Sequence, residues 1–140
     1  MQANVNANRA EYNALVALDA FVGLTAIIGG LALLVGWIQP PLDVLRGSPF
    51  PNYVVPSLAL LIVVGGTATM ASIAVLAHRK FGIAASFAAG SFMMVFEIVE
   101  TAVIGPASWL QLFYFVVGLV IAVLAYRAST SLMPDLTSIG

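Results

Sequence analysis

Four long apolar stretches, separated by short polar or proline-containing breaks, divide the chain. They cover about residues 14–38, 54–77, 82–104 and 107–126. A helix needs about 20 mostly apolar residues to cross the hydrocarbon core of a bilayer. Because lipid offers no hydrogen-bond partners to the backbone, we expect each stretch to be a transmembrane α-helix.

The breaks between the stretches are short enough to fix the order of the helices. Gln39-Pro40-Pro41 stops the first helix, because proline lacks the amide hydrogen. His78-Arg79-Lys80 and Gly105-Pro106 form tight turns, so the second, third and fourth helices are antiparallel neighbours. The predicted fold is all-α: one polytopic membrane domain over residues 1–140, an up-down four-helix transmembrane bundle with short polar tails at both ends.

Composition agrees with a membrane protein and excludes several other classes. The chain is 61% hydrophobic and only 8% charged, whereas a soluble domain is about 25% charged. A net charge of −1 gives no basic surface for nucleic acid. With no cysteine and one histidine, His78, we expect no metal site and no cofactor. No nucleophile–base pair is visible in the sequence, so we expect no enzyme activity.

The distribution of lysine and arginine predicts the orientation. Four of the five cations fall on the side of the two termini, and one, Arg46, falls on the other side; the four are Arg9, Arg79, Lys80 and Arg127. Cytoplasmic loops carry an excess of these residues. We therefore expect a multi-pass protein of the cell (plasma or inner) membrane with both termini in the cytoplasm.

Aromatic residues near the predicted ends of the helices are typical of membrane interfaces. The outer group consists of Trp37, Tyr53 and Trp109, and the inner group of Tyr12, Phe81 and Tyr126. We interpret both groups as interfacial belts.

Small and polar residues share one face of each helix. The third helix has the clearest stripe, formed by Gly82, Ser86, Gly90, Met93, Glu97, Glu100 and Thr101. Weaker rows occur on the first helix (Asp19, Gly23, Ala26, Gly30), the second (Gly65, Thr69, Ser72) and the fourth (Ser108, Gln111, Tyr114, Gly118). Small residues at this spacing allow helix backbones to approach closely in lipid. We expect these rows to form the interior of a compact bundle.

Glu97 and Glu100 are the strongest functional candidates, because ionisable residues inside a membrane are costly. Glu97 lies roughly 10 Å and Glu100 roughly 6 Å from the outer end of the third helix. Counted from the turn at Gly105, Glu100 is level with Gln111 and Glu97 with Tyr114, so we expect these side chains as hydrogen-bond partners. With no cation in the spans at that depth, we expect Glu97 to be largely protonated. Arg46 is the one cation that could reach Glu100.

Asp19 is a secondary candidate near the cytoplasmic end of the first helix. An interfacial ion pair with Arg79, Lys80 or Arg127 is the simpler interpretation. The alternative is the entrance of a proton path.

Two main interpretations of the function remain open. In the first, the glutamates fix helix register in a non-enzymatic accessory, assembly or scaffold subunit of a membrane complex. Its partners are the lipid bilayer, other membrane subunits or further copies of the chain. In the second, Glu97 and Glu100 bind a proton or cation in a small transporter or channel component. The sequence shows no broken helix of the kind common in ion-coupled transporters, which favours the first interpretation. A membrane enzyme or lipid-binding protein is a third and weaker hypothesis.

The last three helices carry a pattern that resembles small, uncharacterised four-span bacterial integral membrane proteins. Its residues are Ser48-Pro49-Phe50, Tyr53, Pro56, Glu100, Gly105, Trp109-Leu110-Gln111 and Tyr114. The resemblance implies a four-span bundle and no particular activity. Small multidrug-resistance transporters are similar in size and in having a membrane glutamate, but theirs lies in the first helix.

Overall fold

The computed structural model describes residues 2–106 and 108–137, with side chains described for 9–106 and 108–130. The first helix is Gln2–Leu34, the third Gly82–Ile104 and the fourth Trp109–Thr137. The second has three segments, Val54–Leu58, Ala59–Gly66 and Thr67–Leu76. A short 3₁₀ turn, Leu42–Leu45, lies in the first connection.

The described residues are helical without any strand, and four helices are long and apolar enough to span a membrane. These spans are Arg9–Leu34, Val54–Leu76, Gly82–Ile104 and Trp109–Thr130. The chain is therefore a multi-pass, all-α membrane protein, as the hydrophobic pattern predicts. We call the end of the bundle with the turn at His78 the His78 end, and the opposite end, with the turn at Gly105, the Gly105 end.

The first helix is shifted from its predicted bounds at both ends. It begins at Gln2 rather than near residue 14, so the polar N-terminal stretch continues the helix instead of forming a tail. It ends at Leu34, before the prolines, because Gly36 adopts a φ of 87°. The Trp37 N–H then donates to the Ala32 carbonyl oxygen at 2.8 Å, which closes the last turn.

The turn at His78 uses the same geometry without a glycine. His78 has a φ of 55°, and the Arg79 N–H donates to the Ala74 carbonyl oxygen at 2.8 Å. His78, Arg79 and Lys80 are exposed. This agrees with the prediction of a tight, solvated turn.

The middle of the second helix, Ala59–Gly66, is a π-helix rather than an α-helix. In a π-helix each N–H bonds five residues back, which widens the turn. Runs of this kind are rare and often occur at functional sites. The hydrophobic pattern predicts no such irregularity in the second helix.

Two helix pairs pack through the predicted small residues. The first pair consists of the first and second helices. A Cβ added to Gly23 would lie 3.0 Å from the Thr69 backbone nitrogen, and Ser72 Oγ donates to the Val16 carbonyl oxygen at 2.8 Å. The second pair consists of the third and fourth helices, where a Cβ on Gly90 would lie 2.6 Å from the Gly118 carbonyl oxygen. These backbones therefore touch directly, which side chains larger than glycine would prevent.

The aromatic residues of the predicted outer belt divide into two kinds. Trp37 and Trp109 are 84% and 73% exposed, as interfacial residues must be. Tyr53 is only 5% exposed and donates to the Pro41 carbonyl oxygen at 3.3 Å. Burial raises the pKa of its hydroxyl. Tyr53 anchors the first connection to the bundle, and its assignment to the belt is wrong.

Candidate functional site

A cavity of about 640 Å³ lies between the helices toward the Gly105 end. The π-helical segment forms one wall with Leu60 and Val63, and the third helix forms another with Phe92 and Phe96. Most of its lining is apolar. The polar side chains in its wall include the four predicted together from the sequence: Glu97, Glu100, Gln111 and Tyr114.

Glu97 faces this cavity from the small-residue stripe of the third helix. Its side chain is 5% exposed, and its Oε2 atom has no hydrogen-bond partner among the described residues. A buried carboxyl oxygen without a partner is costly in an apolar environment. The described residues therefore leave one oxygen of the Glu97 carboxyl group without a hydrogen bond.

Glu100 and Gln111 meet as the depth count predicts. Gln111 Nε2 donates to Glu100 Oε1 at 3.4 Å and to the Gly105 carbonyl oxygen at 3.1 Å. Gln111 Oε1 accepts from the Ser108 N–H at 3.4 Å. The amide thus connects Glu100 to the turn between the third and fourth helices, and the predicted level of these residues is confirmed.

Tyr114 lies in the cavity wall with Glu97, but no hydrogen bond joins them among the described contacts. Its ring instead stacks on Phe21, with centroids 6.1 Å apart and planes 13° apart. It also meets Phe113 edge to face at 5.3 Å. Tyr114 therefore lines the same cavity as the glutamates, as predicted. The predicted hydrogen bond between its hydroxyl and Glu97 is not among the described contacts.

The cation predicted to approach Glu100 is engaged elsewhere. Arg46 forms an ion pair with Asp43 at 3.2 Å, and both side chains are highly exposed, at 83% and 78%. No described Lys or Arg lines the cavity. The two cavity glutamates therefore face a space without a described positive partner.

Asp19 differs from its predicted interfacial ion pair. It is fully buried, Ser86 Oγ donates to its Oδ2, and its Oδ1 has no partner among the described residues. Arg127 pairs instead with Glu11 at 3.3 Å. The ion-pair prediction for Asp19 is wrong because Asp19 faces the third helix across the small-residue rows rather than the surface. It lies outside the cavity lining.

The donor set around the cavity does not resemble a metal site. Among the described residues, no three His, Cys, Asp or Glu side chains are grouped closely enough to hold a metal ion.

The sequence pattern does not predict two features, one in the cavity wall and one outside it. The π-helical segment has only a weak signal, the glycine pair Gly65-Gly66 at its end. The contact between Ser86 and Asp19 could have been found by pairing the polar members of two facing small-residue rows.

Comparison with protein-family models, with curated proteins and with solved structures gives no match.

Proposed function

We propose that the chain is a small, non-enzymatic membrane transporter, or a component of one, that binds a proton or cation at Glu97 and Glu100. One observation carries the proposal: Glu97 is buried, faces a large cavity and keeps an oxygen without a partner among the described residues. Intramembrane carboxyl groups are typical of ion and proton pathways.

A purely structural role for Glu97 accounts poorly for this arrangement. Structural polar groups in a bundle are normally hydrogen-bonded, because an unsatisfied buried group costs stability. Glu100 meets that expectation through Gln111, whereas Glu97 Oε2 does not. Asp19 Oδ1 also has no partner among the described residues, but Asp19 does not line the cavity, whereas Glu97 does. Sites that bind a ligand often keep such unsatisfied groups at a cost in stability.

The π-helical segment supports the same proposal. Its residues Ala59, Leu60, Val63 and Val64 line the same cavity as the glutamates. π-Helical segments inside α-helices occur frequently at functional sites. The second helix is therefore irregular beside the cavity, although it is not broken.

The positive-inside bias supports an orientation for this site in the membrane. With both termini in the cytoplasm of a cell membrane, the Gly105 end lies on the outer side. The cavity is then reached from the outer half of the bilayer.

An accessory or scaffold subunit is the second candidate, and one observation favours it. Toward the His78 end the described helices are in close contact, at Gly90 with Gly118 and at Gly82 with Ala74 and Val75. The cavity lining does not extend through this region. A protein with a one-sided cavity could bind a ligand or a neighbouring subunit without moving anything across the membrane.

Flux measurements on purified protein in liposomes test the first candidate. Under an imposed pH gradient, we expect proton or cation flux above that of empty liposomes, and loss of that flux in Glu97→Gln. Glu11→Gln, which makes the same change outside the cavity, is the matched control. Wild-type flux equal to that of empty liposomes would overturn the transporter proposal.

Purification in mild detergent followed by mass spectrometry tests the second candidate. A stoichiometric membrane partner would support an accessory role. Isolation as a single species, together with Glu97-dependent flux, would contradict it.

A further inference from the structure

Building on the proposed function, we infer that the cavity binds an organic cation with a bulky apolar body. Its positive group would lie beside Glu97 and Glu100, and its body would fill the space between the π-helical segment and the third helix. The inference concerns the chemical class of the ligand, which the proposed function leaves open between a proton, a metal ion and an organic cation.

The size of the cavity favours an organic ligand. Its volume of about 640 Å³ falls within the range of roughly 300–1,000 Å³ found for sites that hold small organic molecules. A proton or a bare metal ion would leave nearly all of this space empty.

The chemistry of the walls argues against a metal ion. Hard cations need about six oxygen ligands at short distance. The described walls around Glu97 and Glu100 are built mainly from side chains such as Leu60, Val63 and Phe96. Such walls exclude the water and oxygen ligands that a metal ion requires, but they suit an apolar body.

The charge of the site favours a cation over a neutral or anionic ligand. Both glutamates face the cavity, and the described lining contains no Lys or Arg. Glu97 is expected to be protonated in the empty site, so a bound cation would displace its proton to solvent and pair with the carboxylate that forms. The nearest predicted candidate, Arg46, is paired with Asp43. Aromatic rings at Phe92, Phe96 and Tyr114 also line the cavity and can attract a positive group.

The cavity is open, so a ligand of this size can enter. Four valines in its lining, two from each of the second and third helices, are between 45% and 57% exposed; they are Val55, Val63, Val95 and Val99. The exposed edge of the cavity therefore lies between the second and third helices, within the candidate membrane spans. An apolar cation that partitions into the membrane could enter there without crossing water.

A pair of ions with the same shape and opposite charge tests the inference. Tetraphenylphosphonium and tetraphenylborate are each titrated into the detergent-purified full chain, and binding is measured by equilibrium dialysis. We expect saturable binding of tetraphenylphosphonium alone, weakened about tenfold or more in Glu97→Gln combined with Glu100→Gln. Glu11→Gln should bind like the wild type, and size-exclusion profiles should confirm that all variants are folded.

Three results would overturn the inference. These are equal binding of both ions, equal binding by the wild type and the double variant, and no saturable binding of tetraphenylphosphonium at all. The transporter proposal has its own separate test, because Glu97-dependent flux of protons or sodium ions would sustain it even if tetraphenylphosphonium fails to bind. Conversely, charge-selective binding without any flux would sustain the ligand class and reject transport.

Discussion

The His78 end and the Gly105 end of the bundle each surround a buried carboxyl group that keeps one oxygen without a described partner, but the packing around the two groups differs. Asp19, toward the His78 end, is fully enclosed and bonded to Ser86, and the neighbouring helices are in direct contact. Glu97, toward the Gly105 end, faces a cavity of about 640 Å³. The contrast shows that an intramembrane acid does not by itself indicate a site; the packing around it decides whether a ligand could reach it.

The largest expected effect comes from disturbing the close contact toward the His78 end. Gly90→Leu should destabilise the bundle by about 3 kcal/mol, because even a Cβ at Gly90 would lie 2.6 Å from the Gly118 carbonyl oxygen. Reversible unfolding in mixed detergent and SDS measures the effect. Gly66→Leu is the control, since nothing lies within 4 Å of a Cβ at that position. Equal stability of the two variants would mean that the third and fourth helices do not pack as described.

The bond between Ser86 and Asp19 should account for the next largest effect. Ser86→Ala leaves a fully buried carboxyl group without its described hydrogen bond, so we expect a loss of about 2 kcal/mol. The further change Asp19→Ala should cost less in that background than in the wild type. Ser91→Ala, which removes a bond within one helix, is the control. Additive effects of the two substitutions would contradict the described contact.

At the Gly105 end, replacing the Glu97 carboxyl group with an apolar side chain should stabilise the bundle rather than destabilise it. Glu97→Leu should raise the free energy of unfolding by about 1 kcal/mol, because an apolar side chain replaces an oxygen without a described partner. Glu100→Leu should bring no such gain, because it removes the bond from Gln111. The same unfolding assay separates the two. A loss of stability in Glu97→Leu would make Glu97 a structural residue and remove the contrast between the two ends.

The smallest expected effect lies in the turn that defines the His78 end. His78 holds a φ of 55°, which glycine adopts without strain. His78→Gly should therefore raise stability by about 0.5 kcal/mol, whereas His78→Ala should give no gain. Identical unfolding midpoints for the glycine and alanine variants would show that the backbone at this turn is not strained.

The sequence predicted those parts of the fold that depend on local hydrophobicity and on helix periodicity. The third span was predicted at its observed bounds, Gly82–Ile104, because a turn of polar residues and a glycine limit it on either side. The first helix begins and ends earlier than the hydrophobic pattern predicts. Gly36 rather than Pro40 ends it, and polar residues extend it at its start. Counting residues from the Gly105 turn brought Glu100 and Gln111 together correctly, since an antiparallel hairpin fixes their level.

The parts that failed depend on contacts between distant segments. The interfacial ion pair predicted for Asp19 is wrong although its small-residue row already predicts an inward-facing side chain, because a row on one helix does not identify the residue that it meets on another. Its partner Ser86 lies 67 residues away, and only the packing of the first helix against the third brings them together. The predicted approach of Arg46 to Glu100 also fails, because Arg46 pairs with Asp43 instead. The sequence alone does not show which of the two acids Arg46 contacts.

The sequence by itself determined that this is a four-span helical membrane protein, and which few polar side chains lie within the spans. Those properties follow from the local requirement that each span satisfies its own backbone in lipid. Tertiary structure alone decided that the second helix widens into a π-helix, that a cavity opens beside Glu97, and that Asp19 is enclosed by Ser86. These depend on how closely whole helices approach one another, which is set jointly by glycines and side chains on different helices.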